Sequence, residues 1–278
     1  MSRLYQTVLD FCRAELAAQS TRPLFIGIQG PQGAGKTTLT RALLEALPAL
    51  GLSGTAVSID DFYMTRAGQL AVAAAHPGNP YLEHRGYPGT HDIALGEETL
   101  AALAGGAGGA GGAGGAGGAG GAGGAGGAGE VLVPVYDKSA HGGRGDRAPV
   151  EQWRTVRMPI DLVFVEGWML GFTPVPDTSL ADPDLIAPNR ALADYDRWYR
   201  HIDAWVILRA LDPAYVLTWR VEAEERMKAG GKPGLSREDI EDYIRRFLPA
   251  YQTWGGAPKG VAPSRQIEFT IGLGREGV

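Results

Sequence analysis

The sequence predicts a three-layer α/β fold with a mostly parallel central sheet, and three observations carry that prediction. Short apolar runs alternate with segments of helical spacing along the chain. Two of the runs, 24–28 and 160–165, are almost continuously apolar, as parallel strands buried on both faces are. The first of them passes through a glycine-rich turn directly into a helical pattern, a strand–loop–helix unit.

The elements follow in order. Residues 1–19 read as an amphipathic helix with Leu4, Val8, Phe11 and Cys12 on one face; Asp10, Arg13 and Glu15 interrupt any signal-like apolar run. Strand 24–28 leads to a helix at 36–47, and 55–59 is a second strand that stops at Asp60 and Asp61. Residues 131–135, 160–165 and 205–208 read as further strands, with helical spacing over 189–201. Residues 213–229 and 236–254 carry the clearest helical patterns, the second opening with Ser236 and Asp239 at capping-box spacing. Strand 266–271 closes the set.

Length and charge narrow the class. A chain of 278 residues with 21% charged residues fits one large α/β domain, expected to span 1–278. No apolar stretch reaches the ~18 residues of a membrane span. A net charge of −5 predicts no broad basic face for nucleic acid, so an anionic ligand must be held by a local cluster. The lone Cys12 is compatible with a reducing, cytoplasmic setting. Residues 104–129 read A(GGA)₈G and hold 17 of the 42 glycines. Such a tract builds no core and has a coil span of roughly 25–30 Å. It reads as a flexible insertion within the domain, since lengthening a loop this far costs only about 1–1.5 kcal/mol.

Residues 30–37, GPQGAGKT, match the phosphate-binding pattern G-x-x-x-x-G-K-[ST] in its proper place between strand and helix. The predicted nucleotide cradle is Gly30, Pro31, Gln32, Gly33, Ala34, Gly35, Lys36, Thr37 and Thr38. Its glycines turn N–H groups onto phosphate oxygens, and the helix start adds its positive dipole end. Lys36 places a charge at the β- and γ-phosphates of ATP, and Thr37 offers Mg²⁺ a hydroxyl. Glu166 ends the apolar run 162–166 in the Walker B position, a second group for Mg²⁺. Neither a guanine-reading N-K-x-D nor an L-S-G-G-Q signature occurs, which turns the reading towards a metabolite kinase. Asp60 and Asp61 follow the second strand, where a carboxylate faces the γ-phosphate across the crevice.

The run Ser58-Ile59-Asp60-Asp61-Phe62-Tyr63 resembles the uridine kinase, phosphoribulokinase and pantothenate kinase group. The segments at 76–92, 134–148, 165–172 and 232–251 narrow this further, since in their order they resemble the D-glycerate 3-kinases of plants and cyanobacteria, with a related fungal kinase. The resemblance covers nearly all of the chain outside the glycine tract. It implies ATP, Mg²⁺ and D-glycerate as ligands, Asp60 as the base with Asp61 as its neighbouring candidate, and a helical lid at 220–232. Arg220, Arg226, Lys228 and Lys232 of that lid are candidates to reach the phosphates, Arg226 as a catalytic group. A small hydroxylated carboxylate needs a cation and polar partners, and the segments offer Arg85, His91, Asp92, Tyr136, Lys138, Arg144 and Arg147. Two alternatives stand beside this reading. One is a kinase for a nucleoside or pantothenate, of which the nucleoside would favour stacking aromatics in these segments. The other is a non-catalytic nucleotide switch, which could dispense with Asp60 and Glu166.

Overall fold

The computed structural model describes residues 3–19, 23–105, 129–229, 237–256, 258 and 262–277. Helix α1 (Arg3–Ala18) leads to β1 (Leu24–Gln29), α2 (Lys36–Ala46) and β2 (Gly54–Ser58). Next come α3 (Arg66–Ala75) and α4 (Ile93–Leu103), then β3 (Glu130–Val133), β4 (Tyr136–Asp137), the single turn α5 (Ala140–Gly143) and β5 (Asp146–Arg147). After β6 (Arg154–Arg157) and β7 (Leu162–Gly167) lie the short α6 (Ile186–Ala191) and α7 (Asp196–Tyr199). The chain continues through β8 (Ala204–Ala210), α8 (Tyr215–Ala229), α9 (Arg237–Trp254) and β9 (Gln266–Ile271).

Five strands form one sheet in the order β2-β7-β1-β8-β9, and every pairing in it is parallel. The alternation of side chains along each strand makes the three layers. Leu24, Ile26 and Ile28, with Leu162 and Phe164, face a core completed by Val8, Cys12 and Leu16 of α1, Leu39 and Leu43 of α2 and Trp219 of α8. Phe25, Val163 and Val165 face the opposite core, with Leu95, Leu100 and Leu103 of α4 and with Tyr195 and Trp198. Both β1 and β7 are buried along their whole length, which is why their sequences are apolar on both faces up to Gln29 and Glu166 at their carboxyl ends.

Two expectations change in form. The strand expected at 131–135 is β3, outside the main sheet and paired antiparallel with β6. The helix expected over 189–201 is divided into α6, a 3₁₀ turn at Leu192–Tyr195, and α7. The tighter winding, three residues per turn, eclipses positions i and i+3, and Leu192, Tyr195 and Trp198 are all buried in one core. Ser236, the side chain of Asp239 and the centre of the glycine tract, 106–128, lie outside the described residues. Among the described residues no helix is long and apolar enough to cross a membrane.

Candidate active site

The sheet brings three predicted groups to one level. In the register, Ile28 of β1, Glu166 of β7 and Ser58 of β2 stand side by side. The phosphate loop, Glu166 and the Asp60–Asp61 pair therefore leave the same carboxyl edge of neighbouring parallel strands. That edge is where α/β sheets bind ligands.

The loop has the backbone its sequence implies. Gly33 (φ 79°) and Gly35 (φ 91°) hold left-handed conformations that a side chain would oppose. At Gly33 a Cβ would also come within 2.5 Å of the Trp219 Cβ, so α8 is pressed directly against the loop. Gly35 caps α2 without a side-chain hydrogen bond, which leaves the first N–H groups of α2 for a phosphate. Lys36 is buried, and its Nζ donates to the carbonyls of Gly30 (2.8 Å) and Pro31 (3.0 Å). Burial lowers its pKa, while Glu166 and Asp60 act in the opposite direction. Thr37 and Thr38 are exposed on the first turn of α2. Two further residues brace the loop: the Tyr251 hydroxyl accepts from Gln32 N–H (3.0 Å), and Arg275 Nε donates to the Gly33 carbonyl (2.7 Å).

The two groups expected to hold Mg²⁺ meet. Thr37 Oγ1 donates to Glu166 Oε1 at 3.0 Å, across the gap between α2 and β7. A hydroxyl and a carboxylate are the hard oxygen ligands that Mg²⁺ takes when phosphates and water supply the rest. Among the described residues no cluster of three or more His, Cys, Asp or Glu offers a metal site made by the protein alone.

The adjacent acids differ in their surroundings. They sit on a 3₁₀ turn, Ile59–Phe62, which Ser58 caps by accepting from Asp60 N–H. Burial would push the Asp60 carboxyl up, but Lys138, whose Nζ donates to Oδ2 at 2.6 Å, and Lys36 together bring it down to about 2. Asp61 is dominated by burial and rises to about 6, even though it accepts from Tyr136 N–H (3.3 Å) and lies near Lys138 and Arg154. Arg154, which donates to Thr55 Oγ1 at 2.6 Å, was not anticipated; nothing in its sequence context separates it from a surface arginine.

The remaining predicted residues surround Tyr63. His91 is stacked on its ring at 4.3 Å, and Tyr136 meets it edge-on at 5.4 Å. Arg85 lies over the Tyr136 ring and donates to the carbonyls of Lys138, Gly143 and Arg144, so it shapes the 138–144 loop. Asp92 caps α4 by accepting from Leu95 N–H (3.1 Å), and its other oxygen accepts from Arg147 Nη2 (2.9 Å). Arg147 also donates to the Tyr63 carbonyl. Arg144 rests against the ring of His84, at the rim of this group. Of the lid residues, Arg220 and Lys228 belong to α8. The side chain of Arg226, and Lys232 entirely, lie outside the described residues.

No protein-family model matches the chain. It is 37% identical to the chloroplastic D-glycerate 3-kinase of Arabidopsis thaliana, a match covering 96% of this chain and 58% of that protein. The chain thus spans little more than half of that relative's length. It is 35% identical to an uncharacterized kinase of Schizosaccharomyces pombe, with 83% of this chain and 80% of that one covered. The solved D-glycerate 3-kinase of Cryptococcus neoformans has the same fold, with a TM-score of 0.84 at 29% identity, covering 100% of this chain and 98% of that one. With the phosphate loop, Glu166 and Asp60 on one edge of a parallel sheet, these matches settle the kinship: the chain belongs with the Schizosaccharomyces pombe protein to one family of P-loop kinases, and it is similar to the D-glycerate 3-kinases of Arabidopsis and Cryptococcus.

Proposed function

We propose that the chain transfers the γ-phosphoryl group of ATP to a hydroxyl of D-glycerate, giving 3-phosphoglycerate. The observation that carries this reading is the shared level of Ile28, Glu166 and Ser58, which brings the phosphate loop and the acid pair to one crevice. The loop amides and Lys36 hold the β- and γ-phosphates. Thr37 and Glu166 hold Mg²⁺, which when bound neutralises charge on those phosphates. Phosphoryl transfer passes through a loose transition state that asks little of a base. Asp60, charged over the whole working range, accordingly serves to orient the attacking hydroxyl and receive its proton late. Lys138 holds that carboxylate in place and adds positive charge beside the incoming acceptor. Arg85 and Arg147 frame the acceptor side by fixing the 138–147 segment and Tyr63, and Arg144 stands at its rim. We treat residues 1–278 as one kinase unit with 104–129 as an insertion, in a cytoplasmic setting.

The test is a coupled ADP-release assay with D-glycerate, L-glycerate, uridine, pantothenate and ribulose 5-phosphate, each with and without Mg²⁺. D-glycerate is expected to give the highest kcat/KM, and activity to disappear on chelation. Faster turnover of any of the others would overturn the acceptor assignment.

A further inference from the structure

His91 makes an unusual demand. It is buried, 1% exposed, on the segment that zips onto the strand-end loop carrying Asp60. Tyr63 and His91 form an antiparallel bridge, Met64 N–H donates to the Thr90 carbonyl, and Asp92 N–H donates to that of Phe62. Its Nδ1 lies 2.7 Å from the Tyr195 hydroxyl, and that same oxygen accepts from Gly89 N–H. Two arrangements of the protons are available. If Tyr195 O–H donates to Nδ1, every group of the pair is used except the His91 Nε2–H. If Nδ1–H donates instead, both the Tyr195 proton and Nε2 are left unmatched. The first arrangement wastes less, so the tautomer is Nε2–H. Burial, opposed by the charge of Asp60, keeps the ring neutral at physiological pH, with a pKa of about 4.

That leaves one buried N–H with no partner among the described residues. Such groups are rare in folded proteins, and each asks for a cause. Across the Tyr63 ring, the Tyr136 hydroxyl is also buried and unmatched among the described residues. We infer that His91 Nε2–H is a specificity-determining donor to an oxygen of the acceptor held beside Asp60, with the Tyr136 hydroxyl as its counterpart across Tyr63. This rests on the kinase reading above and adds the atom that recognises the substrate. A neutral donor recognises the position of an oxygen and not its charge. It thereby supplements the cations around it and adds no second base next to Asp60.

Three substitutions separate the roles of the two nitrogens. In His91→Asn the amide can still accept from Tyr195 but carries no donor at the Nε2 position. In His91→Gln the amide reaches the Nε2 position and restores a donor. His91→Phe keeps only the stacking on Tyr63. We expect His91→Asn and His91→Phe to raise KM for D-glycerate by about tenfold or more, the scale of one lost hydrogen bond in a buried site. KM for ATP should stay within about twofold, and His91→Gln should lie closer to the wild type. A folded His91→Asn enzyme with unchanged KM for D-glycerate would overturn the proposal. Should these variants fail to fold, the wild type decides. With ¹⁵N-labelled histidine, the Nε2-bound proton is expected to shift when D-glycerate is added in the presence of Mg²⁺ and a non-hydrolysable ATP analogue. A resonance that stays fixed at saturating D-glycerate would mean the donor is satisfied by internal water, and would overturn it equally. Wild-type turnover of D-glycerate tests the kinase reading separately. If another acceptor is turned over instead, the same titration with that acceptor decides the role of His91.

Discussion

The acids at the end of β2 divide the work at the scale of single residues. Asp60→Asn keeps the size and removes the charge, so kcat should fall by about 10²-fold or more while ATP binding changes little. Steady-state kinetics with a nucleotide-binding titration checks this, and a larger loss in Asp61→Asn would transfer the role to its neighbour. Asp61 should reveal itself through stability instead. Its folded pKa, about 6, lies above the ordinary carboxylate value of ~4. The folded state therefore holds the proton more tightly, and stability is lost as pH rises from ~4 to ~6 and stays reduced above that. Asp61→Asn can still accept from Tyr136 N–H, so it should gain about 1–2 kcal/mol at pH 8 and nothing at pH 3.5, read from urea midpoints. Asp60 has the opposite sign: its carboxylate, held near 2, stabilises above pH ~4 and loses that contribution towards pH 2. Placement was legible in the sequence where a backbone motif fixes it, as at Lys36, Thr37 and Glu166. The contacts of Arg85 with the carbonyls of the 138–144 loop were not, because a side chain turned onto distant carbonyls leaves no trace in sequence spacing.

Elements were legible in proportion to how local their causes are. The strands of the main sheet and the helices α1, α2, α8 and α9 follow from periodicity, and their bounds moved by only a residue or two; α3 and α4 were not read from it. The segment 186–199 did not, since its winding is set by Leu192, Tyr195 and Trp198 entering a core built by other elements. Helix α4 offers a quantitative test of such packing. Gly96 sits inside it, and a Cβ there would lie 2.5 Å from the Trp198 ring, which is fully buried and whose Nε1 donates to the Ile93 carbonyl. Replacing a helical glycine by alanine ordinarily gains about 0.5–1 kcal/mol. Overpacking a rigid core costs about 1–3 kcal/mol. The second effect should win, so Gly96→Ala is expected to lower stability by about 1–2 kcal/mol in chemical denaturation.

For the whole molecule, the length of α4 separates Leu103, just before the glycine tract, from the carboxyl edge of the sheet. Asp92 caps the end nearest the site, and the helix of 11 residues rises about 16 Å before Leu103. Replacing 104–129 by a short Gly-Ser loop should leave kcat and KM for the acceptor within about twofold and raise stability by roughly 1 kcal/mol. Loss of activity in a folded, ATP-binding variant would give the tract a role beyond spacing. The buried face of α1 carries a different consequence. Cys12 is the sequence's one cysteine, packed with Val8 and Leu16 against the sheet, and burial pushes its thiol up to about 12. A thiolate is the form that reacts, so a thiol reagent sees this protein only while α1 is detached. The lag before labelling is thus a clock for opening, built into the unaltered chain. Run against denaturant concentration, it would report whether α1 leaves the sheet alone or only when the entire domain comes apart.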